Sequence, residues 1–348
     1  MSVPDLHKRL KELDAIVDPA HVLESETLIE DSLSYHKIDR FPFTNSAGAP
    51  GWQGFPYSEA FYDMEEMLVN ELGSVYQGAK NRDDRMYTIR ANYGVGTVAS
   101  MFGCEVSLTM NNMPWCEPLS ENELLKAIDR GVPDLNAGLG ARVFETERFY
   151  ADTLADYPNL NAAVHTYLCD TQGPFDIAHL VMGHRIYTEI YDNPGLVHRL
   201  LSICTDTYIA FTKAQKAIIG EGNDWHFHTG TKIRGGVRMC EDTPTNLSPA
   251  SYLEFCRPYN ERILAEFGGW IHYCGDGRHI LPHVLSTPGL TAINFGNPEK
   301  QNLRAVYDEA SPRGVDIVTW VLPLSAEDAK HITTGITLAG SAPPPLPG

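Results

Sequence analysis

Two residues with metal-binding side chains stand two apart in this 348-residue chain. They are His272 and Cys274, inside Gly268-Gly269-Trp270-Ile271-His272-Tyr273-Cys274-Gly275-Asp276-Gly277. The apolar run before them reads as a β-strand. On a strand, side chains at i and i+2 share a face, so the imidazole and the thiol would sit side by side. Gly275 and Gly277 then let the chain turn sharply. Imidazole with thiolate suits zinc. An arbitrary H-x-C pair is more often plain core, because free cysteine packs as a small apolar residue. The rest of the chain must therefore supply the reason to expect chemistry.

Cys240-Glu241-Asp242 ends the strand one α/β unit earlier. Neighbouring barrel strands bring their C-terminal ends together, so Glu241 or Cys240 could meet His272 and Cys274 at one ion. Successive strand residues alternate faces, so one of the two points inward. Glu241 is also a candidate acid or base, with Asp276 beyond the H-x-C strand. The competing reading has Glu241 and Asp242 capping or pairing at the rim. Asn294 and Glu299 follow the next strand, and Asn45 and Asn92 end the first two. Polar residues at such strand ends are substrate-contact candidates by position, although turn chemistry explains them as well. His226 and His228 form a second pair spaced by two. They lie past the middle of the chain without a fitting set of later His and Asp, so a surface or loop pair is expected. P-loop, G-x-S-x-G and H-E-x-x-H motifs are absent. Gly94-Val95-Gly96 lacks the third glycine of a dinucleotide fingerprint.

These residues need elements to hold them. Apolar spacing predicts helices over residues 6–22, 57–72, 121–129, 195–219, 249–267, 279–285 and 303–310. Ser120 and Ser248-Pro249 supply helix-start signals. Strands are expected within 41–51, 86–94, 161–170, 237–242, 268–274, 290–296, 315–321 and 335–339. Strand and helix alternate throughout, which predicts α/β with a parallel sheet. Length and the number of alternations favour a closed (β/α)8 TIM-type barrel. It would form one domain over 1–348, with an N-terminal helical extension over 1–35 and an irregular proline-rich tail over 340–348.

Hydrophobic residues make up 43% of the chain, enough for a full core. Net charge is −18, from 27 basic and 45 acidic side chains. That balance argues against nucleic-acid binding and docking on an anionic membrane. No apolar run is long enough to span a bilayer, and the first residues lack the apolar core of a signal peptide. The 7 cysteines are scattered and form no C-x-x-C, so reduced thiols and a cytoplasmic protein are expected.

Gln172-Gly173-Pro174-Phe175-Asp176-Ile177-Ala178, Asn193-Pro194 and Val197-His198-Arg199-Leu200-Leu201 resemble the uroporphyrinogen decarboxylase superfamily. So do Asn246-Leu247-Ser248-Pro249, Phe255 and Pro258-Tyr259. That superfamily holds tetrapyrrole decarboxylases and cobalamin-linked methyltransferases on a TIM-type barrel. The decarboxylases carry an arginine-rich stretch after the first strand. Here that place reads Phe43-Thr44-Asn45-Ser46-Ala47-Gly48, without arginine. The methyltransferase branch resembles this chain at His272-Tyr273-Cys274-Gly275, where the H-x-C pair binds zinc and a later cysteine completes the site. No cysteine follows Cys274, so Glu241, or else Cys240, is the expected third ligand. The resemblance implies methyl transfer between a small methylated compound or thiol and the cobalt of a cobalamin carried by a separate corrinoid protein. Asp276, Asn294 and Glu299 would sit around the metal. A metal-free decarboxylase acting on a tetrapyrrole or other carboxylated substrate is the alternative.

Overall fold

The computed structural model describes residues 6–108, 113–340, 342, 343, 345 and 346. Residues 1–5 of the expected N-terminal extension and Ser341, Pro344, Pro347 and Gly348 of the expected tail lie outside the described residues.

Eight strands follow the chain around a TIM-type barrel. They are β1 (Phe43–Asn45), β2 (Tyr87–Arg90), β5 (Val164–Tyr167), β8 (Val237–Cys240), β9 (Gly269–Tyr273), β10 (Leu290–Phe295), β11 (Asp316–Trp320) and β12 (Ile336–Gly340). β8 through β12 and then β1 form one six-stranded parallel sheet. β2 and β5 make a separate parallel pair. Side chains bridge the seam between β1 and β2. The Asp83 carboxylate accepts from the Asn45 N–H and the Asp84 carboxylate from the Phe43 N–H. At the other seam, Gly173 N–H donates to the Cys240 carbonyl at 2.8 Å. Strand β9 is buried at four of its five positions, as a strand must be when one face lines the barrel and the other meets helices.

Local signals placed several helices well. Ser120 precedes Glu121–Arg130, and the Glu123 carboxylate reaches back to the Ser120 N–H. Ser248 caps Pro249–Phe255 by accepting from Ser251 N–H at 3.1 Å. The single helix expected over residues 6–22 is two, Leu6–Asp14 and Pro19–Leu33. Asp18 and Pro19 explain the break: the aspartate accepts the Ala20 and His21 N–H groups, and proline cannot continue a preceding helix. The stretch 249–267 likewise splits into Pro249–Phe255 and Arg257–Phe267.

Two antiparallel hairpins were not read from the sequence. One pairs β3 (Glu105–Ser107) with β4 (Trp115–Glu117). The other pairs β6 (Trp225–His228) with β7 (Thr231–Arg234). The second lies across the N-terminal ends of the barrel strands. Met86, just before β2, donates its N–H to the Gly230 carbonyl at 2.9 Å. Thr291 near the start of β10 donates to the Arg234 carbonyl at 2.6 Å. Arg234 pairs at 2.7 Å with Asp316, the first residue of β11. The hairpin thus closes one end of the barrel and leaves the C-terminal ends as the mouth. No described helix is long and apolar enough to cross a membrane.

Candidate active site

The mouth is built where β8 and β9 end side by side. Cys240 is in register with His272, and Glu241 N–H donates to the His272 carbonyl at 2.8 Å. Strand alternation therefore puts Cys240, Asp242, His272 and Cys274 on one face and Glu241 and Tyr273 on the other. The potential ligand atoms of Cys240, Asp242 and His272 lie within 4.8 Å of one another. Cys274 Sγ is 3.4 Å from His272 Nε2, and Asp242 Oδ1 is 3.9 Å from it. Asp242 also accepts the Cys274 N–H at 2.6 Å, tying the two strand ends together.

Asn294 orients the imidazole. Its Nδ2 donates to the Val318 carbonyl at 2.6 Å, which fixes the amide and turns Oδ1 to His272 Nδ1 at 2.6 Å. Nδ1 therefore carries the proton and Nε2 keeps its lone pair, the state of a metal ligand. Burial, helped by the Arg238 charge, holds the His272 pKa below its ordinary value. Burial and the nearby Asp242 carboxylate push the Cys274 thiol up to about 11. Gly296 makes room for that thiol, since a Cβ there would stand 2.4 Å from Cys274 Sγ.

Glu241 is not where a third ligand would be. It is 2% exposed and turned out of the barrel, behind β8. Its Oε1 fills the space beside Gly173, where any Cβ would come within 1.8 Å. Both carboxylate oxygens lack a hydrogen-bond partner among the described residues, and burial, with Asp176 nearby, pushes its pKa well up. The neighbours on either side, Cys240 and Asp242, take the inward positions instead. Asp176, which motif reasoning passed over, holds that turn: its carboxylate accepts the Asp242 and Thr243 N–H groups, each at 2.8 Å. Only the Gly-Pro-Phe-Asp run signalled it in the sequence.

Asp276 is exposed and closes on Arg278 at 2.8 and 2.7 Å, which holds its pKa down to about 2. A carboxylate so paired stays ionised at neutral pH. Asn45 folds into its own turn, accepting the Ala47 N–H at 2.9 Å. Asn92 donates to Glu71 at 2.9 Å. Exposed Glu299 accepts from Asn297 at 2.8 Å. Asn45 and Glu299 are held by neighbours two residues away, Asn92 keeps a buried Oδ1 without a hydrogen-bond partner among the described residues, and Asn294 reaches the mouth through His272.

His226 and His228 are both buried, contrary to the surface pair expected. His226 Nδ1 meets the Gly235 carbonyl at 2.6 Å, and Nε2 accepts the Trp270 indole N–H at 2.8 Å. Both nitrogens are spent. Deeper in the barrel, Arg90 and Arg238 grip Asp170 at 3.1 and 2.8 Å. Burial alone would raise the Asp170 pKa, but the two guanidinium groups hold it below the ordinary value.

The uroporphyrinogen decarboxylase family model matches residues 89–315. Curated proteins named uroporphyrinogen decarboxylase, from Nocardia farcinica and Xanthomonas axonopodis pv. citri, are 26% and 28% identical over 224 residues. The match covers 62% of this chain and 51% of each relative, so the chain spans about half the length of the curated relatives it matches. A solved methyltransferase from Methanosarcina mazei superposes with a TM-score of 0.64 at 14% identity, covering 93% of this chain and 94% of that one. That likeness is one of fold. The family match extends over well more than half of the sequence, and this chain belongs to the uroporphyrinogen decarboxylase family.

Proposed function

We propose that this protein is a zinc-dependent methyltransferase, one barrel domain that exchanges methyl groups between a small methylated compound or thiol and the cobalt of a corrinoid protein. The observation that carries this reading is the donor set at the mouth: His272 Nε2 held open by Asn294, with Cys274, Cys240 and Asp242 converging on it. Nitrogen, sulfur and carboxylate donors fit zinc, and three of them would leave its fourth position for a substrate. His272 and Cys274 would hold the ion, with Cys240 or Asp242 as the third ligand. A bound zinc would supply a Lewis acid that draws charge from a thiol or a methyl-ether oxygen. Asn294 keeps the imidazole in its liganding tautomer. Asp176 and Asp242 keep the ends of β8 and β9 at a fixed separation. All 7 cysteines are free thiols and 6 are buried, which supports a reducing, cytoplasmic setting.

The names of the curated relatives favour a decarboxylase as the second reading. Its substrate carries several carboxylates and needs cations to receive them. Here the loop after β1 has no arginine, and Arg90 and Arg238 are already committed to Asp170.

Plasma mass spectrometry of the purified protein beside Cys274→Ala tests the reading. About one zinc per chain, lost in the variant, is expected, along with zinc-dependent methylation of free cobalamin in a screen of methylated substrates. Full transfer activity in the His272→Ala, Cys274→Ala double variant would overturn it. Metal-independent turnover of a porphyrinogen would establish the decarboxylase.

A further inference from the structure

A cavity of about 580 Å³ opens between the helices Leu6–Asp14 and Met64–Asn81 and the loop that follows β1. It shares no residue with the mouth. The loop forms neither helix nor strand over residues 46–56, yet it is pinned. Gln77 and Asn81 donate to the Ala47 carbonyl at 2.6 and 2.9 Å, Tyr76 to the Pro50 carbonyl at 3.0 Å, and Arg9 to the Gln53 carbonyl at 2.8 Å. The Trp52 indole N–H donates in turn to the Val69 carbonyl at 2.9 Å. Gly51 takes a φ of +110°, and a Cβ there would stand 2.6 Å from the Tyr76 hydroxyl, so glycine is what lets the loop pass this close. The wall is built before anything binds.

Three cations line this cavity: Lys8 and Arg9 on the first helix and Lys80 on the second. Aromatic rings hold two of them in place. The Arg9 guanidinium lies 5.6 Å from the centre of the Trp52 ring and 5.7 Å from that of Phe55, and the Lys80 ammonium lies 5.4 Å over Tyr76. Such contacts steady a cation without neutralising it. None of the three pairs with a carboxylate among the described residues, and Glu12 is the single acid in the lining. The chain carries −18 overall, but charges farther than about 8 Å are largely screened at physiological salt, so the local excess of cations sets the sign of the site. Guanidinium and ammonium donors suit phosphate oxygens, and the volume is that of a small-molecule site. From these features we infer that the cavity is a second binding site, separate from the mouth, for a small phosphorylated polyol of the sugar-phosphate kind. The phosphate would accept from Lys8, Arg9 and Lys80, and the hydroxyl groups would meet Glu12 and Gln53.

Calorimetry with glucose 6-phosphate and its uncharged counterpart glucose tests this on the whole chain. Saturable binding of the phosphate ester is expected, at least about tenfold tighter than glucose and weakened by added salt. The double variant Lys8→Gln, Lys80→Gln removes two exposed charges and none of the bonds that pin the loop, so the fold is kept. It should weaken the phosphate ester at least about tenfold, the equivalent of about 1.4 kcal/mol. Its zinc content should match the wild type. Cys274→Ala should bind the phosphate ester as the wild type does, which keeps this test separate from the reading of the mouth. Equal affinity of the ester for the wild type and the double variant, no preference for the ester over glucose, or no saturable binding by the wild type would overturn the inference.

Discussion

Two strands of this protein, one in the closing hairpin and one in the barrel, carry a histidine followed two residues later by a second potential ligand, and they end in opposite roles. On β6, His226 has both nitrogens engaged, by the Gly235 carbonyl and the Trp270 indole. On β9, His272 has one nitrogen engaged, by Asn294, and turns the other to Cys274 and Asp242. The spacing is the same. The difference lies in what meets the second nitrogen. β6 folds back over the closed end of the barrel, where every polar group needs a protein partner. β9 ends at the mouth, where a ligand or metal can be the partner. A ligand histidine is recognised by its uncommitted nitrogen and by the residue that fixes the other one.

The largest effect should come from removing the open imidazole. His272→Ala should lower zinc affinity by more than the roughly 100-fold typical of losing an outer-sphere partner, seen as loss of zinc from about one per chain. His226→Ala should leave zinc content unchanged and lower stability instead. It orphans the Trp270 N–H and the Gly235 carbonyl, each worth about 1–3 kcal/mol, read by urea unfolding. Zinc loss in His226→Ala would erase the distinction between the two pairs. Asn294→Ala should fall between them, weakening zinc about 10- to 100-fold through the freed imidazole, by competition with a chelator.

Acid probes the closed pair directly. Burial holds the pKa of His226 down to about 3, against an ordinary value near 6.5. The folded form excludes a proton that the unfolded chain binds between those values. Its stabilising contribution is therefore complete above pH 6.5 and falls by about 1.4 kcal/mol per pH unit as the pH drops toward 3. A His226→Gln variant, which has no ring to protonate, should lose less stability than the wild type between pH 6.5 and 5. The smallest effect is expected at Asp276. Asp276→Asn removes an exposed pair with Arg278 and should change stability by less than about 0.5 kcal/mol and zinc content not at all.

Much of the fold was legible. The apolar run at β9, the Ser120 and Ser248 caps and the alternation of strands with helices are local signals, set by neighbours a few residues apart. The hairpin of β6 and β7 was missed because its alternation, Trp-His-Phe-His, reads equally as a polar loop until Trp270 and His165 pack against it. The continuous helix expected over 6–22 shows apolar periodicity overrunning a stop that Asp18-Pro19 had written.

The site was half legible. From the sequence alone came His272 and Cys274 as neighbours on one strand face, because a period of two is a property of the strand itself. The acidic run Cys240-Glu241-Asp242 was placed beside them because neighbouring barrel strands bring their C-terminal ends together. Which of its residues faces the mouth was decided only by the tertiary structure, because register between β8 and β9 is set by hydrogen bonds across 32 residues of chain, Asp242 to Cys274 among them. The tertiary fold likewise decided which histidine stays open, since Asn294, Gly235 and Trp270 reach their histidines from other strands and turns.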